Sequence, residues 1–600
     1  MEAITATETD AVQAEWAAQW PVALRVWSPF VQLHEPAWCF TEAEETAEQL
    51  SGSFAMIRLV DHSIVISLRQ VIAQKLQPFA KEILAHEIGH HVYCPADLSD
   101  NARMLARMRV GLPTKEHLAP FISNLYSDLL INDRLQRSVG LDMSGVYLKL
   151  GSECRDRLWT LYMRTYEILW KLDRGTLTRG SIDERLNQDA QLGARLIRSY
   201  SRDWLDGAGR FAVLCLPYLL EDEAVRMQKL MAIWSDTRCA GSGAIPDGLA
   251  EIDEGELTGA IHPADDPELS GVASSYTSRD ANVVKGKADQ TGVKTAKSYR
   301  QPIEYAEVLK AAGVNIEPAD LTARYYRERA IPHLIPFPVR KLPVATDPLP
   351  EGLDLWDVGT PLEQIDWLGT LLTSTQVVPG ITTRQRLYGT SPGTEPATIP
   401  VDLYLGVDCS GSMGDPAQHQ SYPVLAGAII ALSALKVGSR VKVVLSGEPG
   451  RTLSTAGFER QSTTVMKTLT SYLGTGYSFG IHRLNETFGA GRPKYPRPVH
   501  MLIVSDNDMF SMLDSKAGKQ SGWDVARKAL EAAGGGGTFV LELPEQVRSS
   551  QWSQNTTGYL ERIRAMGWTV AIVSSMDELV AFGRQFSRQQ FGERRDRVRA

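Results

Sequence analysis

Val401-Asp-Leu-Tyr-Leu-Gly-Val-Asp-Cys-Ser-Gly-Ser-Met413 is the stretch that decides the fold of the carboxy-terminal half of this chain. Its start reads as an apolar strand, and its end turns the chain while presenting Asp408, Ser410 and Ser412 in an Asp-x-Ser-x-Ser array. A carboxylate and two hydroxyls are hard oxygen donors, suited to Mg²⁺ or Mn²⁺ and poor for zinc. Doubly wound sheets place their ligands at the carboxyl ends of such strands. Downstream, predicted strands at 401–407, 440–445, 499–505, 538–543 and 568–574 alternate with predicted helices at 422–436, 463–473, 523–533 and 576–586. That alternation implies a parallel sheet wrapped on both faces, a doubly wound α/β (Rossmann-like) domain. Two more segments complete the cation site. Gly474-Thr-Gly476, in a loop before a helix at 479–487, supplies the hydroxyl of Thr475, and Val504-Ser-Asp506, at a strand end, supplies Asp506, often through water. Cys409 reads as a small buried residue rather than a nucleophile, because no His is apparent beside it.

A second signature lies some three hundred residues earlier. His86-Glu-Ile-Gly-His90 follows a β-rich segment, Asp61-His-Ser-Ile-Val-Ile-Ser-Leu68, which reads as a substrate-pairing edge strand. Phe79, Ile83, Leu84 and Ile88 recur at helical spacing, predicting a helix from about Pro78 through His91 that Pro95 helps to end. Histidines four apart project from one helix face and converge on one ion. Glu87 is placed to take a proton from metal-bound water. Imidazole nitrogens suit Zn²⁺, and an open fourth position leaves room for that water. His91 points about 100° away, so it reads as an outer, substrate-facing group. A third ligand is needed. The apolar helix at about 120–137 carries Asn124 and Asp128 four apart, with Asn132 one turn on. Buried polar groups on such a helix require partners. Either Asp128 is the third ligand or the site is degenerate, and zinc's use of carboxylate oxygen favours Asp128.

Composition bounds the rest. At 600 residues the chain exceeds one core and predicts several domains. It is 43% hydrophobic and 22% charged with net charge -8, which makes no electrostatic case for nucleic acid or an anionic membrane. The six cysteines are scattered without C-x-x-C, as in a reduced cytoplasmic protein. The acidic amino terminus lacks the regions of a signal peptide, and the apolar runs are too short to span a bilayer. From Gly241 to about Lys297, Gly, Pro, Ser and Asp dominate, and Ala240–Ser278 holds no Lys or Arg but eight acidic residues. This reads as a flexible, solvated acidic linker, with a docking site for a basic partner as the alternative. The expected organisation is therefore a mostly helical α+β region at 1–240, the linker at 241–297, a connector at 298–399, the α/β domain at 400–590 and a basic tail at 591–600.

Residues 400–590 resemble a von Willebrand factor A domain with a metal-ion-dependent adhesion site, through Asp408-x-Ser410-x-Ser412, Thr475 and Asp506 in order. In that family the cation keeps an open position that an acidic residue of the partner fills. The 86–90 motif resembles zincins of the gluzincin type, whose partner helix carries Glu-x-x-x-Asp with the Glu as ligand; here the matching stretch is Asn124-x-x-x-Asp128, so that Glu is missing. The pair together, with Arg324–Arg340 and Val378–Arg386, resembles bacterial von Willebrand A metallopeptidase-like proteins associated with MoxR-type AAA+ ATPases. The resemblance implies a zinc metallopeptidase acting with such an ATPase on a protein client. A non-catalytic adaptor, or a maturation factor with a structural or degenerate zinc site, is the alternative. The chain has no G-x-x-x-x-G-K-[ST] loop, so ATP chemistry falls to a partner.

Overall fold

The computed structural model describes residues 6–586 except 51–52, 152–153, 222–236, 239–244, 271–297, 342–345, 393–397, 449–450, 477, 491–494, 496, 507, 518–519, 544–551, 576–577, 579–580 and 584. The chain divides into two compact units, Met1–Leu321 and Thr322–Ala600, so the division falls inside the expected connector.

The first unit is helix-rich. Its helices include α1 (Ala6–Trp27), α2 (Ala80–Val92), α3 (Leu98–Gly111), α4 (Ala119–Arg134), α5 (Met143–Leu150), α6 (Arg157–Leu169), α7 (Glu184–Ser199) and α8 (Trp204–Glu221). α2 packs against α1, α4 and the small sheet. Its Ile83, Leu84, Ala85 and Ile88 are buried, each large aliphatic side chain contributing about 1.5–3 kcal/mol of transfer free energy. Gly89 makes this packing possible. A Cβ there would lie 2.6 Å from the Trp27 ring of α1 and 2.7 Å from the Ile131 side chain of α4, so a larger residue would force these side chains to shift.

The sheet comprises β1 (Ala37–Cys39), β2 (Ala55–Arg58), β3 (Ile64–Ser67) and β4 (Thr237–Arg238) in the order β1-β3-β2-β4. β3 is the strand expected as a substrate-pairing edge. Instead it pairs with β1 in parallel and with β2 antiparallel, so both of its hydrogen-bonding sides are filled. Its residues Ile64, Val65 and Ile66 are buried, and that all-apolar run suits an interior strand better than an edge.

The expected acidic linker also differs from its reading. Its residues 271–297 lie outside the described residues, but 245–270 form short elements, among them strand Glu251–Ile252 paired with Ser298–Tyr299 and helix Glu254–Thr258. Three of the acidic side chains here are anchors, while Asp247, Glu251, Glu254, Asp265 and Glu268 stay exposed as expected. Asp253 accepts from Arg107, Asp266 from Arg210 and Tyr200, and Glu256 forms a buried pair with Arg300. Net composition hid this because the arginines come from elsewhere in the chain.

In the second unit, an arm of two antiparallel strands, β5 (Thr346–Leu355) and β6 (Arg384–Pro392), carries a short helix, α9 (Trp367–Thr373), in its connection. The central sheet has six strands: β7 (Asp402–Asp408), β8 (Val441–Glu448), β9 (Arg451–Ser454), β10 (Val499–Asp506), β11 (Gly534–Glu542) and β12 (Thr569–Ile572). Their order is β9-β8-β7-β10-β11-β12, parallel throughout except for antiparallel β9 at one edge. β7 and β10 are therefore adjacent and central, and both are buried along their whole length. Helices α10 (Tyr422–Lys436), α11 (Ser462–Leu469) and α12 (Gly522–Ala533) pack on these strands, and α13 (Trp552–Ala565) packs on β12. β9 and α13 were not anticipated; of the helix expected at 576–586, residues 578, 581–583, 585 and 586 are described, and all six are helical. Tyr325 and Tyr326, from the expected connector, are fully buried, and the Tyr326 hydroxyl accepts the backbone N–H of Ser421, the N-cap of α10.

Candidate metal centres

In the first unit two helices each contribute a pair of residues four apart. α2 presents His86 and His90, and α4 presents Asp128 and Asn132, all four buried. The Nε2 atoms of the two histidines lie 3.2 Å apart, and Asp128 Oδ1 lies 3.7 and 3.6 Å from them. Four-coordinate zinc with bonds of 2.0–2.1 Å places neighbouring ligand atoms about 3.3 Å apart. The donor set therefore fits a tetrahedral ion with one position left over.

The outward nitrogens explain the orientation. His86 Nδ1 faces the Asn132 side-chain carbonyl at 2.7 Å, and His90 Nδ1 faces the Cys94 backbone carbonyl at 3.1 Å. Each Nδ1 thus carries the proton, which leaves both Nε2 lone pairs converging on one point beside Asp128 Oδ1. Asn132 in turn donates to the hydroxyls of Tyr147 and Tyr166, and Tyr162 donates to Asp128 Oδ2 at 3.4 Å. Burial raises the pKa of Tyr162 and Tyr166 well above the ordinary phenol value, so both keep their protons.

Glu87, His86, Asp128 and Asn132 line a cavity of about 40 Å³ together with Ser53, Phe54 and Ile83. α5 supplies the opposite wall through Met143, Val146, Tyr147 and Leu150. At about 10–15 Å³ per water, the space holds a few waters. Two expected outer residues stand apart from this wall. Asn124 is buried on α4 but does not line the cavity, and His91 packs its ring 4.0 Å from that of His62. The tyrosines were missed. Tyr162 and Tyr166, four apart on α6, carried the only available signal, and that spacing is shared by ordinary helix packing.

In the second unit the strand ends gather a different chemistry. Asp408 ends β7 and Asp506 ends β10. Ser412 donates to Asp506 and lies 3.0 Å from Ser410 through their hydroxyls. The backbone of Ser410 donates to Asp408 at 2.8 Å, and Ser505 donates to its other oxygen at 2.6 Å. Thr475 is drawn in by a backbone bridge, accepting from Gly411 and donating to Cys409. All five expected residues therefore meet in one loop cluster. Burial, reinforced by the Asp506 charge, pushes Asp408 up to about 6 against the opposing hydrogen bonds. The same two causes raise Asp508 and Glu542. Concentrated carboxylate charge with hydroxyls among it is the setting a hard divalent cation relieves. Burial pushes the Cys409 thiol up to about 12, which agrees with a packing role.

No known protein-family profile matches the chain, and no curated protein is significantly similar to it.

Proposed function

We propose that this chain is a zinc-dependent metallopeptidase joined to a von Willebrand factor A domain, working on a protein client with a MoxR-type AAA+ ATPase. The observation that carries the first part is the convergence of His86, His90 and Asp128 donor atoms within 4.8 Å of one another, with Glu87 on the same cavity wall. Zinc, when bound, supplies Lewis acidity toward a carbonyl and toward water. His86 and His90 would hold it through Nε2, Asp128 would add the anionic donor, and Glu87, on the same cavity wall, would serve as the proton acceptor. Asn132 fixes the His86 ring, and the packed wall limits bulk water.

The A-domain reading is supported by Asp408, Ser410, Ser412, Thr475 and Asp506 gathering at the ends of adjacent central strands. Mg²⁺ or Mn²⁺ there would leave a position for an acidic side chain of the client or ATPase. A cytoplasmic site of action agrees with the free state of all five described cysteines. Among the described residues no helix is long and apolar enough to cross a membrane.

One observation favours a second reading. The cavity bounded on one side by α5 measures only about 40 Å³, as suits a non-catalytic adaptor or maturation factor with a structural zinc. Metal content of the wild type, His86→Ala, Asp128→Ala and Glu87→Gln, with hydrolysis of a peptide library, separates the two. Zinc lost in the first two variants but kept in Glu87→Gln, with turnover abolished there, supports the peptidase. Zinc without turnover in the wild type supports the adaptor, and no zinc in the wild type defeats both. Asp408→Ala should abolish Mg²⁺ binding while leaving zinc content unchanged.

A further inference from the structure

The arm formed by β5, β6 and α9 holds 14 of the 24 large hydrophobic side chains exposed among the described residues, although it spans only Thr346–Pro392. It has a small interior of its own. Trp356, Ile365, Thr370 and Thr383 are buried, and Asp366 caps α9 by accepting from Gly369 at 2.9 Å. The arm's fold therefore does not require its outer face to be apolar. On α9, Trp367, Leu368, Leu371 and Leu372 are 54%, 66%, 54% and 80% exposed, so the solvent side of the helix is the apolar side. Leu353 of β5, itself 47% exposed, packs over Gly369 of α9. A contiguous surface of this kind exceeds what a water-facing helix tolerates without a partner.

The charges beside it select the partner. The arm carries six acidic residues against two arginines and no lysine. Glu351, Asp354, Asp357 and Glu363 are exposed, whereas Arg386 is engaged with Asp366. A second copy of the chain would bring the same carboxylates against these, and like charges across an interface are costly. We propose that this arm docks a protein partner presenting apolar side chains flanked by Lys and Arg. Apolar burial supplies affinity, and the carboxylates supply orientation and on-rate.

The test uses the full chain with two fluorescent amphipathic helical peptides of equal length, one Leu/Lys and one Leu/Glu, followed by anisotropy. The Leu/Lys peptide should bind, more weakly as salt rises, and the Leu/Glu peptide should not. Leu368→Ser/Leu372→Ser should weaken binding by about tenfold or more. Glu351→Lys/Asp354→Lys/Asp357→Lys should turn the preference toward Leu/Glu. These positions are exposed, so thermal unfolding should stay unchanged, and Trp367→Ser gives an independent variant should the serine pair unfold. Equal binding of both peptides, or binding indifferent to the substitutions, overturns the proposal. So does a wild-type dimer in sedimentation that the serine pair converts to monomer, which would make the occupant a second copy.

Discussion

The side-chain carbonyl of Asn132 accepts the Nδ1 proton of His86 at 2.7 Å, while its amide donates to Tyr147 and Tyr166 at 3.1 and 2.9 Å. A neutral carboxamide stands where a carboxylate often orients a metal-binding imidazole. Asn132→Ala should weaken zinc binding by about 10–100-fold, as measured by competition with a chromogenic chelator. Asn132→Asp keeps the acceptor and should retain most of the affinity. Equal loss in both variants would mean that the amide's contacts to the tyrosines matter more than its carbonyl.

Gly89→Ala tests the packing behind the same site. Its new methyl would meet Trp27 and Ile131, side chains held by two different helices. Overpacking of this kind costs about 1–3 kcal/mol. Urea unfolding of the variant should show that loss, and zinc affinity should fall with it because His86 and His90 flank the displaced turn.

Acid sensitivity has an identified source in the central sheet. His500 is fully buried on β10, with Nδ1 facing the Gly535 carbonyl at 3.0 Å, and burial pushes it down to about 4. Above pH 6.5 both folded and unfolded states leave it neutral, so it adds no pH dependence. As pH falls from about 6.5 toward 4, the unfolded chain takes up a proton that the folded one refuses. Stability of the second unit should drop across that window, by on the order of 3 kcal/mol in full. His500→Gln should flatten this part of the profile in denaturation measured between pH 7 and 5.

The buried Arg300–Glu256 pair gives a prediction for the acidic segment. Both side chains are nearly inaccessible, and Arg300 also donates to the Leu249 carbonyl at 2.8 Å. Removing one partner strands a buried charge, so Arg300→Ala should destabilise the first unit by about 3–5 kcal/mol. Arg300→Met/Glu256→Met removes both charges and should cost less. The same cost for single and double variants would assign the loss to packing alone.

Legibility from sequence followed the range of the interactions involved. α10 falls on the predicted residues, and β7 and β10 lie within one or two of them, because their apolar runs are bounded by turn signals and buried on both faces. His86, His90 and Asp128 were readable because helical spacing carries the information within each helix. The failures were tertiary. β3 looked like an edge because nothing local says which strands flank it, and Asp253, Glu256 and Asp266 looked solvated because their arginines lie far away in sequence. Tyr147 reaches Asn132 only once α5 folds over α4, which no periodicity announces.

The two pairs spaced four apart, His86/His90 on α2 and Asp128/Asn132 on α4, amount to a lock on helix register. Sliding either helix by one residue shifts it about 1.5 Å and rotates it about 100°, which would break the Asn132 contact and scatter the three donors together. An ion held there is a cross-link between two segments some forty residues apart, present only in the folded chain. Occupancy and unfolding of the first unit then become a single equilibrium, and free zinc concentration should set its melting temperature.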